Sequence, residues 1–302
     1  EWNWIAASAT PPRNDGGWEM VARVWRGGQR YGPGELPPPC AFTLLSGSLK
    51  VSSRMQHYTS VASRRREEPP PVSRAEFDEF AKDYRSLHAQ NVAITGEEPE
   101  YFAEYKMRDF AQLVRQTGGP ADGRYLDFGS GVGASVAPFR RHLPQAQLLC
   151  ADVSAESLAA SRIAHGDGPD YLLINGASLD LPDASVDGGF ACCVFHHIPP
   201  AQHLAALSEL RRVLKADAPL MIYEHNPLNP LTVRAVNTCP LDVNAILIRA
   251  GEMARRCAQA GFSSTSVDYR VFFPATLKAW RRFEDRMRWL PLGAQYFVHA
   301  RR

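Results

Sequence analysis

The chain has 302 residues, of which 45% are hydrophobic, an ordinary content for a globular core. Its formal net charge is +2, but residues 76–277 carry 17 Lys and Arg against 24 Asp and Glu. An acidic body disfavours nucleic acid as a partner, because affinity for a phosphate backbone depends on clustered cations. No apolar run approaches the roughly 20 residues that cross a bilayer, so the sequence predicts no transmembrane segment.

The six cysteines have no C-x-x-C spacing among them. Neither a zinc site nor a disulfide framework is therefore expected. Reduced thiols are typical of a cytoplasmic protein, and that is the predicted location.

Residues 1–72 differ in composition from the rest of the chain. They hold 9 of the 23 prolines and 4 of the 6 tryptophans, without a sustained hydrophobic period. We predict a disordered or non-native extension here, in which residues 39–52 could pair as a short hairpin. Met55 is then an alternative start, and residues 64–71 (RRREEPPP) form an extended linker.

A regular pattern begins at Ser73 and predicts one domain over residues 73–302. Ser73 and Glu76 have the spacing of a capping box, which opens a helical cap over residues 73–120. Within the cap a second helix is expected near 98–117. The rest of the domain, residues 121–302, is the predicted core.

Helices and strands alternate through this predicted core. Strands are expected near 124–128, 147–152, 171–174, 188–195, 219–224, 265–272 and 295–300. Helices are expected near 133–142, 154–165, 200–214, 242–260 and 276–288. This alternation predicts an α/β fold, a Rossmann-like three-layer sandwich whose seven-stranded sheet is mostly parallel.

The sequence YLDFGSGVG (residues 125–133) is the most informative segment of the core. Gly129, Gly131 and Gly133 follow a strand and precede a helix, so backbone N–H groups can approach an anionic ligand closely. The same glycines also satisfy a loose dinucleotide fingerprint. Asp127 favours a different ligand over a dinucleotide, because a carboxylate before the loop can receive the ammonium group of an amino-acid ligand such as S-adenosylmethionine.

Asp152 ends the second core strand, 25 residues after Asp127. A carboxylate at this edge can accept hydrogen bonds from both hydroxyls of a ribose. The alternative is that Asp152 caps the next helix, although Ser154 can take that role while Asp152 binds the ligand.

Several ordered segments together resemble class I S-adenosylmethionine-dependent methyltransferases. They are YLDFGSGVG (125–133), LLCADVS (148–154), LDLPDASVDGGFACCVFHHI (179–198) and ELRRVLKADAPLMIYE (209–224). Finer detail is similar to a bacterial subgroup of small-molecule methyltransferases: EHNPLNPLTVRAVNTCPLDVNAILI (224–248), DYRVFFP (268–274) and GAQYFVHARR (293–302). The resemblance covers residues 76–302 and implies an antiparallel last strand.

The resemblance also implies which residues hold the cofactor. Its predicted binding residues are Asp127, Gly129, Ser130, Gly131, Gly133, Asp152, Val153, Asn175, Gly176 and Phe195. Of these, Asn175 stands where the family has an acid facing the adenine amino group. Its amide oxygen can still accept a hydrogen bond there.

Three histidines are candidates for acid–base catalysis. His196 and His197 follow the fourth core strand, and His225 ends the fifth. Imidazole titrates near neutral pH, so each could accept a proton from an acceptor hydroxyl. The alternative is structural, since neighbouring residues of an extended segment point to opposite sides. No metal is predicted at this site.

The expected function is S-adenosylmethionine-dependent methyl transfer to a small molecule. O-methylation of a metabolite, sugar or glycolipid is preferred, because His197-Ile198-Pro199-Pro200 is not the N-P-P-Y signature of amide and base N-methylation. Two alternatives remain: an NAD(P)-dependent oxidoreductase on a Rossmann fold, and a non-catalytic regulatory module. The basic amphipathic segment 276–290 either packs on the domain or contacts a membrane surface.

Overall fold

The computed structural model describes residues 3–9, 20–25, 40–42, 87, 92, 95–175 and 178–302. The chain divides into two units, Glu1–Glu68 and Pro69–Arg302. In the first unit, β1 (Asn3–Ala9), β2 (Met20–Trp25) and β3 (Cys40–Phe42) form an antiparallel sheet in that order. The rest of the predicted extension, including most of the proposed hairpin, lies outside the described residues, so the expectation of disorder there stays a prediction.

The second unit is built on a seven-stranded sheet. Its strands are β4 (Arg124–Phe128), β5 (Gln147–Asp152), β6 (Asp170–Leu173), β7 (Gly188–Cys192), β8 (Pro219–His225), β9 (Ser264–Arg270) and β10 (Gln295–Arg301). The order across the sheet is β6-β5-β4-β7-β8-β10-β9, and β10 alone runs opposite to the other six strands. The predicted fold class is confirmed, including the antiparallel last strand.

Helices cover both faces of this sheet. They are α1 (Pro99–Gln116), α2 (Val136–His142), α3 (Ala155–His165), α4 (His203–Val213), α5 (Pro230–Thr238), α6 (Ala250–Gln259) and α7 (Glu284–Met287). Alternate residues of β4 serve the two layers: Tyr125 packs with α1 and α2, and Leu126 packs with α4 and α6. Because the sheet is buried on both faces, the sequences of its parallel strands are almost continuously apolar.

The predicted helix near 98–117 is present as α1. The predicted helix that opens at Ser73 lies outside the described residues except for Leu87, which is helical. Within the described part of the chain, no helix has the length and apolar content needed to cross a bilayer.

The predicted helix over 242–260 is wrong in its first half, because α6 begins only at Ala250. The segment before it is held by tertiary hydrogen bonds instead. Ile246 N donates to His196 O at 2.8 Å, and Tyr296 Oη donates to Ile248 O at 2.8 Å. These bonds carry the segment over the edge of the sheet, where it contacts the turn that follows β7.

The amphipathic segment near 276–288 is not one continuous α-helix either. A 3₁₀-helix over Ala275–Phe283 contains Leu277 with non-helical dihedral angles, and α7 then adds four residues. Arg281 pairs with Glu97, two residues before α1, at 2.6 Å and lies over the ring of Tyr101 in α1. Trp280 and Trp289 remain exposed.

Candidate active site

Four parallel strands bring the predicted site residues to one edge of the sheet. Strands β4, β5, β7 and β8 pair in parallel, so their carboxyl ends lie together. Asp127 belongs to the end of β4, Asp152 to the end of β5, and His225 to the end of β8. Open α/β sheets bind their ligands at this edge.

The glycine loop after β4 has the backbone that its sequence predicted. Gly129, Gly131 and Gly133 all have positive φ, at 74°, 52° and 79°. A Cβ on Gly129 would lie 2.5 Å from Val194 Cγ2, so the turn after β7 packs directly on the loop. A Cβ on Gly131 would meet no atom within 4 Å, which leaves open space beside the middle of the loop.

Asp127 is a buried carboxylate with little to balance its charge. Its side chain is 2% exposed, and Ser135 Oγ donates a hydrogen bond to Oδ2. Burial raises the pKa of Asp127 to about 7, and the Ser135 hydrogen bond and the Lys106 charge only partly oppose it. The fold therefore keeps a carboxylate that would be stabilised by a cation.

Asp152 organises the turn between β5 and α3. Its Oδ2 accepts from Gly131 N at 2.7 Å, and its Oδ1 accepts from Ser154 N at 2.9 Å. Ser154 caps α3 by accepting from Ser157 N at 3.0 Å, so the cap and the carboxylate are separate groups. Val153 beside them is an apolar side chain that is 38% exposed.

The remaining predicted cofactor residues are distributed differently. Ser130 N donates to Ala151 O at 3.1 Å, which ties the glycine loop to β5. Asn175 is exposed and bridges to Ser178, while Gly176 lies outside the described residues. Phe195 is fully buried in the core against Phe128 and His203. A direct role of these residues in binding stays a prediction.

Glu224 holds the turn after β7 in place. The carboxylate is fully buried; its Oε1 accepts from Val194 N at 3.2 Å and from Phe195 N at 2.8 Å. Its Oε2 lies 2.5 Å from His196 Nδ1. Burial raises the pKa of Glu224, but the positive charge on His196 and these hydrogen bonds outweigh burial and lower it below its usual value.

Asp242 brings a second carboxylate to the same histidines. It ends a short 3₁₀-helix over Pro240–Asp242. Its Oδ1 lies 3.5 Å from His196 Nε2 and 3.4 Å from His197 Nε2. Burial lowers the pKa of His196, but Glu224 and Asp242 together raise it to about 10. In the protein without a bound ligand, His196 is therefore protonated at neutral pH and is not a proton acceptor.

His225 lies on the other side of this cluster. It is half-buried, and its ring centroid is 5.2 Å from that of His196. Beside it, Cys193 adopts a φ of 60°, an uncommon conformation for a residue other than glycine. Lys106 Nζ lies 3.3 Å from Cys193 Sγ. Burial raises the pKa of this thiol, but Lys106 and His225 lower it to about 6.

The family comparison agrees with this geometry. Residues 126–222, which run from β4 to β8, match the family model of a methyltransferase domain. The matched stretch contains the glycine loop, both carboxylates of the crevice and the turn after β7. Over these residues the chain carries a methyltransferase domain.

Individual known proteins are similar to this chain, one in sequence and others in fold. The ribosomal RNA small subunit methyltransferase C of Pseudomonas entomophila is 35% identical over 78 residues, which are 26% of this chain and 24% of that protein. The chain therefore matches about a quarter of that relative's length.

Two solved structures share the fold. An S-adenosylmethionine-dependent methyltransferase from Thermotoga maritima has a TM-score of 0.52 at 17% identity, covering 75% of this chain and 98% of that one. Phosphoethanolamine N-methyltransferase 2 of Haemonchus contortus, in complex with S-adenosylmethionine, has a TM-score of 0.52 at 14% identity, covering 77% and 60%. At these identities the likeness supports the fold of the methyltransferase domain.

Two residues of the site were missed by the sequence analysis. Asp242 lies 45 residues beyond His197, in a segment interpreted as helix, and no local pattern indicates that it returns to the sheet edge. Cys193 was counted as part of an apolar strand. Its position directly after β7, at the strand end where ligands bind, is the one signal that could have marked it.

Proposed function

We propose that the protein transfers the methyl group of S-adenosylmethionine to an oxygen atom of a small molecule. The observation that carries the cofactor side is Asp127, a buried carboxylate whose charge is poorly balanced and which lies beside a glycine loop. The ammonium group of the cofactor would supply the missing positive charge. The loop N–H groups and the N-terminal end of α2 would face its carboxylate.

Asp152 and Val153 are proposed to hold the nucleoside. Asp152 would accept hydrogen bonds from the ribose hydroxyls, which would replace or share its bond from Gly131 N. Val153 would provide an apolar contact for the adenine ring. Asn175 would accept from the adenine amino group. This arrangement would direct the sulfonium toward the turn after β7, since Val194 packs on Gly129.

The proposed reaction is a direct displacement at the methyl carbon. The acceptor oxygen forms a bond to the methyl group as the carbon–sulfur bond breaks, and the bonding pair returns to sulfur as a neutral thioether. Much of the rate enhancement then comes from positioning, because the leaving group is already activated. The acceptor hydroxyl must lose a proton, which requires a base nearby.

Of the three candidate histidines, we propose His225 as that base. His196 lies between Glu224 and Asp242, which favour its charged form, and this makes it a poor proton acceptor at neutral pH. The Nε2 atom of His197 also lies within ion-pair distance of Asp242, at 3.4 Å from its Oδ1. His225 is half-buried at the tip of β8, and no carboxylate lies within ion-pair distance of it among the described residues.

RNA is a second candidate acceptor, favoured by the 78-residue match to a ribosomal RNA methyltransferase. The charge distribution opposes it, since residues 76–277 carry more acidic than basic side chains. An RNA-binding surface ordinarily concentrates Lys and Arg. We therefore prefer a small molecule.

Calorimetric titration with S-adenosylhomocysteine tests the cofactor assignment. We expect saturable binding by the wild-type protein, a large loss in Asp127→Asn and Asp152→Asn, and unchanged binding in His142→Gln, a control outside the proposed site. Saturable binding of NAD(H) without binding of S-adenosylhomocysteine would overturn the proposal.

Methyl transfer from labelled cofactor identifies the acceptor class. Small hydroxyl compounds and small-subunit ribosomal RNA are presented in parallel. We expect label in the small molecules and a large loss of activity in His225→Asn, with cofactor binding retained. Label found only in RNA would select the second candidate instead.

A further inference from the structure

A compact group of side chains with metal-ligand chemistry lies at and beside the turn after β7. His196, His197 and Asp242 each offer one ligand atom, and these three atoms all lie within 4.8 Å of one another. His196 is buried, and the other two residues are half-buried. The cluster comes from two separate segments, because Asp242 reaches it from the loop between α5 and α6.

The spacing of the ligand atoms fits a small dication. Zinc binds imidazole nitrogen and carboxylate oxygen at about 2.0–2.2 Å, so the edges of a tetrahedron around it measure about 3.4 Å. Asp242 Oδ1 lies 3.5 Å from His196 Nε2 and 3.4 Å from His197 Nε2. Two edges of a tetrahedral site are thus present without movement of the backbone.

Glu224 orients His196 as metal sites commonly orient their histidines. A metal-binding imidazole usually donates its other N–H to a carboxylate, which fixes the ring and the tautomer. Here Nδ1 lies 2.5 Å from Glu224 Oε2, and Nε2 points to Asp242. Nε2 is also buried, and within the described residues no hydrogen-bond geometry is met at this atom.

We propose that His196, His197 and Asp242 bind a divalent transition-metal ion, with Zn²⁺ as the best fit. The carboxylates of Asp242 and of Glu224 behind His196 give the cluster a strong attraction for positive charge, which a dication satisfies more fully than a proton. Three protein ligands leave the fourth tetrahedral position open, as in catalytic rather than structural zinc sites.

The open position suggests a role, which rests on the proposed methyl transfer. An acceptor hydroxyl bound to the ion would be held at the tip of β7, and its proton would be released more readily. His225 would receive that proton, and the oxygen would bond to the methyl carbon as the carbon–sulfur bond breaks and its electron pair returns to sulfur. Metal binding itself does not depend on this role and is tested without it.

The test uses the full chain after removal of metals with a chelator. Titration with Co²⁺, followed by its visible absorption, reports tetrahedral binding, and competition with Zn²⁺ gives the zinc affinity. We expect one ion per chain in the wild-type protein. Asp242→Asn and His197→Gln should each weaken Zn²⁺ binding at least tenfold. Glu224→Gln should weaken it by about 10–100-fold, acting through His196.

His142→Gln is the matched control, because His142 also pairs with a carboxylate, Glu104, at 2.8 Å, outside the cluster. It should bind Zn²⁺ like the wild type. Binding of S-adenosylhomocysteine by each variant shows that the fold is retained. Because His197 is only half-buried, its replacement is the variant least expected to disturb folding. Equal Zn²⁺ affinity in His197→Gln, Asp242→Asn and the control would overturn the proposal. So would absence of tetrahedral Co²⁺ absorption in the wild type.

Discussion

Asp127 and Glu224 are both buried carboxylates at strand ends on one edge of the sheet, yet their surroundings shift their pKa values in opposite directions. Glu224 is surrounded by two backbone N–H groups and an imidazole, and its pKa is lowered. Asp127 receives a hydrogen bond from Ser135, and burial raises its pKa to about 7. One negative charge is balanced within the fold, and the other is not.

The difference separates a structural carboxylate, Glu224, from Asp127, the carboxylate that we propose binds the cofactor. A buried charge that the protein balances itself contributes to holding a turn, here the turn that carries His196. A buried charge without that balance costs stability until a cation from outside arrives. On the glycine-loop side a positive charge is therefore still lacking, whereas on the histidine side the His196 imidazolium supplies one when no metal is bound.

Glu224→Gln is expected to have the largest effect, a loss of stability. It leaves the His196 imidazolium without its main partner and replaces a charged acceptor of three hydrogen bonds. Removing one member of a buried pair commonly costs about 3–5 kcal/mol. Chemical denaturation at neutral pH measures the loss. Glu209→Gln is the control, since Glu209 also accepts a backbone N–H and pairs with an Arg, but closer to the surface. Equal losses in the two variants would contradict the distinction.

Asp127→Asn should instead stabilise the cofactor-free protein. The pKa of Asp127 is higher in the folded state than in the unfolded state, so its ionisation costs folding energy. That cost is absent below about pH 4, grows up to pH 7 and is then constant, reaching roughly 4 kcal/mol at about 1.4 kcal/mol per pKa unit. Thermal unfolding at pH 8 and pH 4 measures it.

The exposed Asp167→Asn is the control for this stabilisation and should leave the unfolding temperature unchanged at both pH values. The same Asp127→Asn protein should bind S-adenosylhomocysteine about 10–100-fold more weakly at pH 8, the usual value of a charged hydrogen bond. A variant that is destabilised at pH 8 would show that Asp127 is balanced within the fold after all.

The cofactor side was predictable because its parts are local. β4, the glycine loop and β5 occupy consecutive residues, and both strands were predicted with the bounds that the structure shows. Apolar runs ending in Asp127 and Asp152 define them, and the glycines between require the positive φ that they adopt.

The histidine side was predictable only in part, because tertiary contacts assemble it. The hydrogen bond from Ile246 to His196 and the bond from Tyr296 to Ile248 replaced a helix that the residue pattern favoured. Asp242 reaches the cluster only because that helix is absent. Cys193 likewise departs from the strand conformation with a positive φ, and the sequence does not indicate this because the residue is not a glycine.

Cofactor affinity should depend on pH through Asp127. Above pH 7 the carboxylate is ionised and can pair with an ammonium group; below pH 7 it holds a proton that the ligand must displace. Affinity for S-adenosylhomocysteine should therefore fall as the pH is lowered from 7 to 5, approaching tenfold per pH unit. Calorimetry across this range measures the slope. In Asp127→Asn the slope should disappear; the same slope in both proteins would assign the proton to another group.

The smallest expected effect concerns Lys106, which acts on both sides of the crevice. It favours the ionised forms of Asp127 and Cys193, while neighbouring Cys192 has its pKa raised by burial. At pH 7 iodoacetamide should alkylate Cys193 faster than Cys192, because the thiolate is the reactive form. Mass spectrometry of peptides distinguishes the two cysteines.

Lys106→Met should slow alkylation of Cys193 several-fold, whereas Lys215→Met, at an exposed ion pair, should not. Equal rates in all three proteins would show that the Lys106 charge does not control this thiol, and its influence on Asp127 would then need another source.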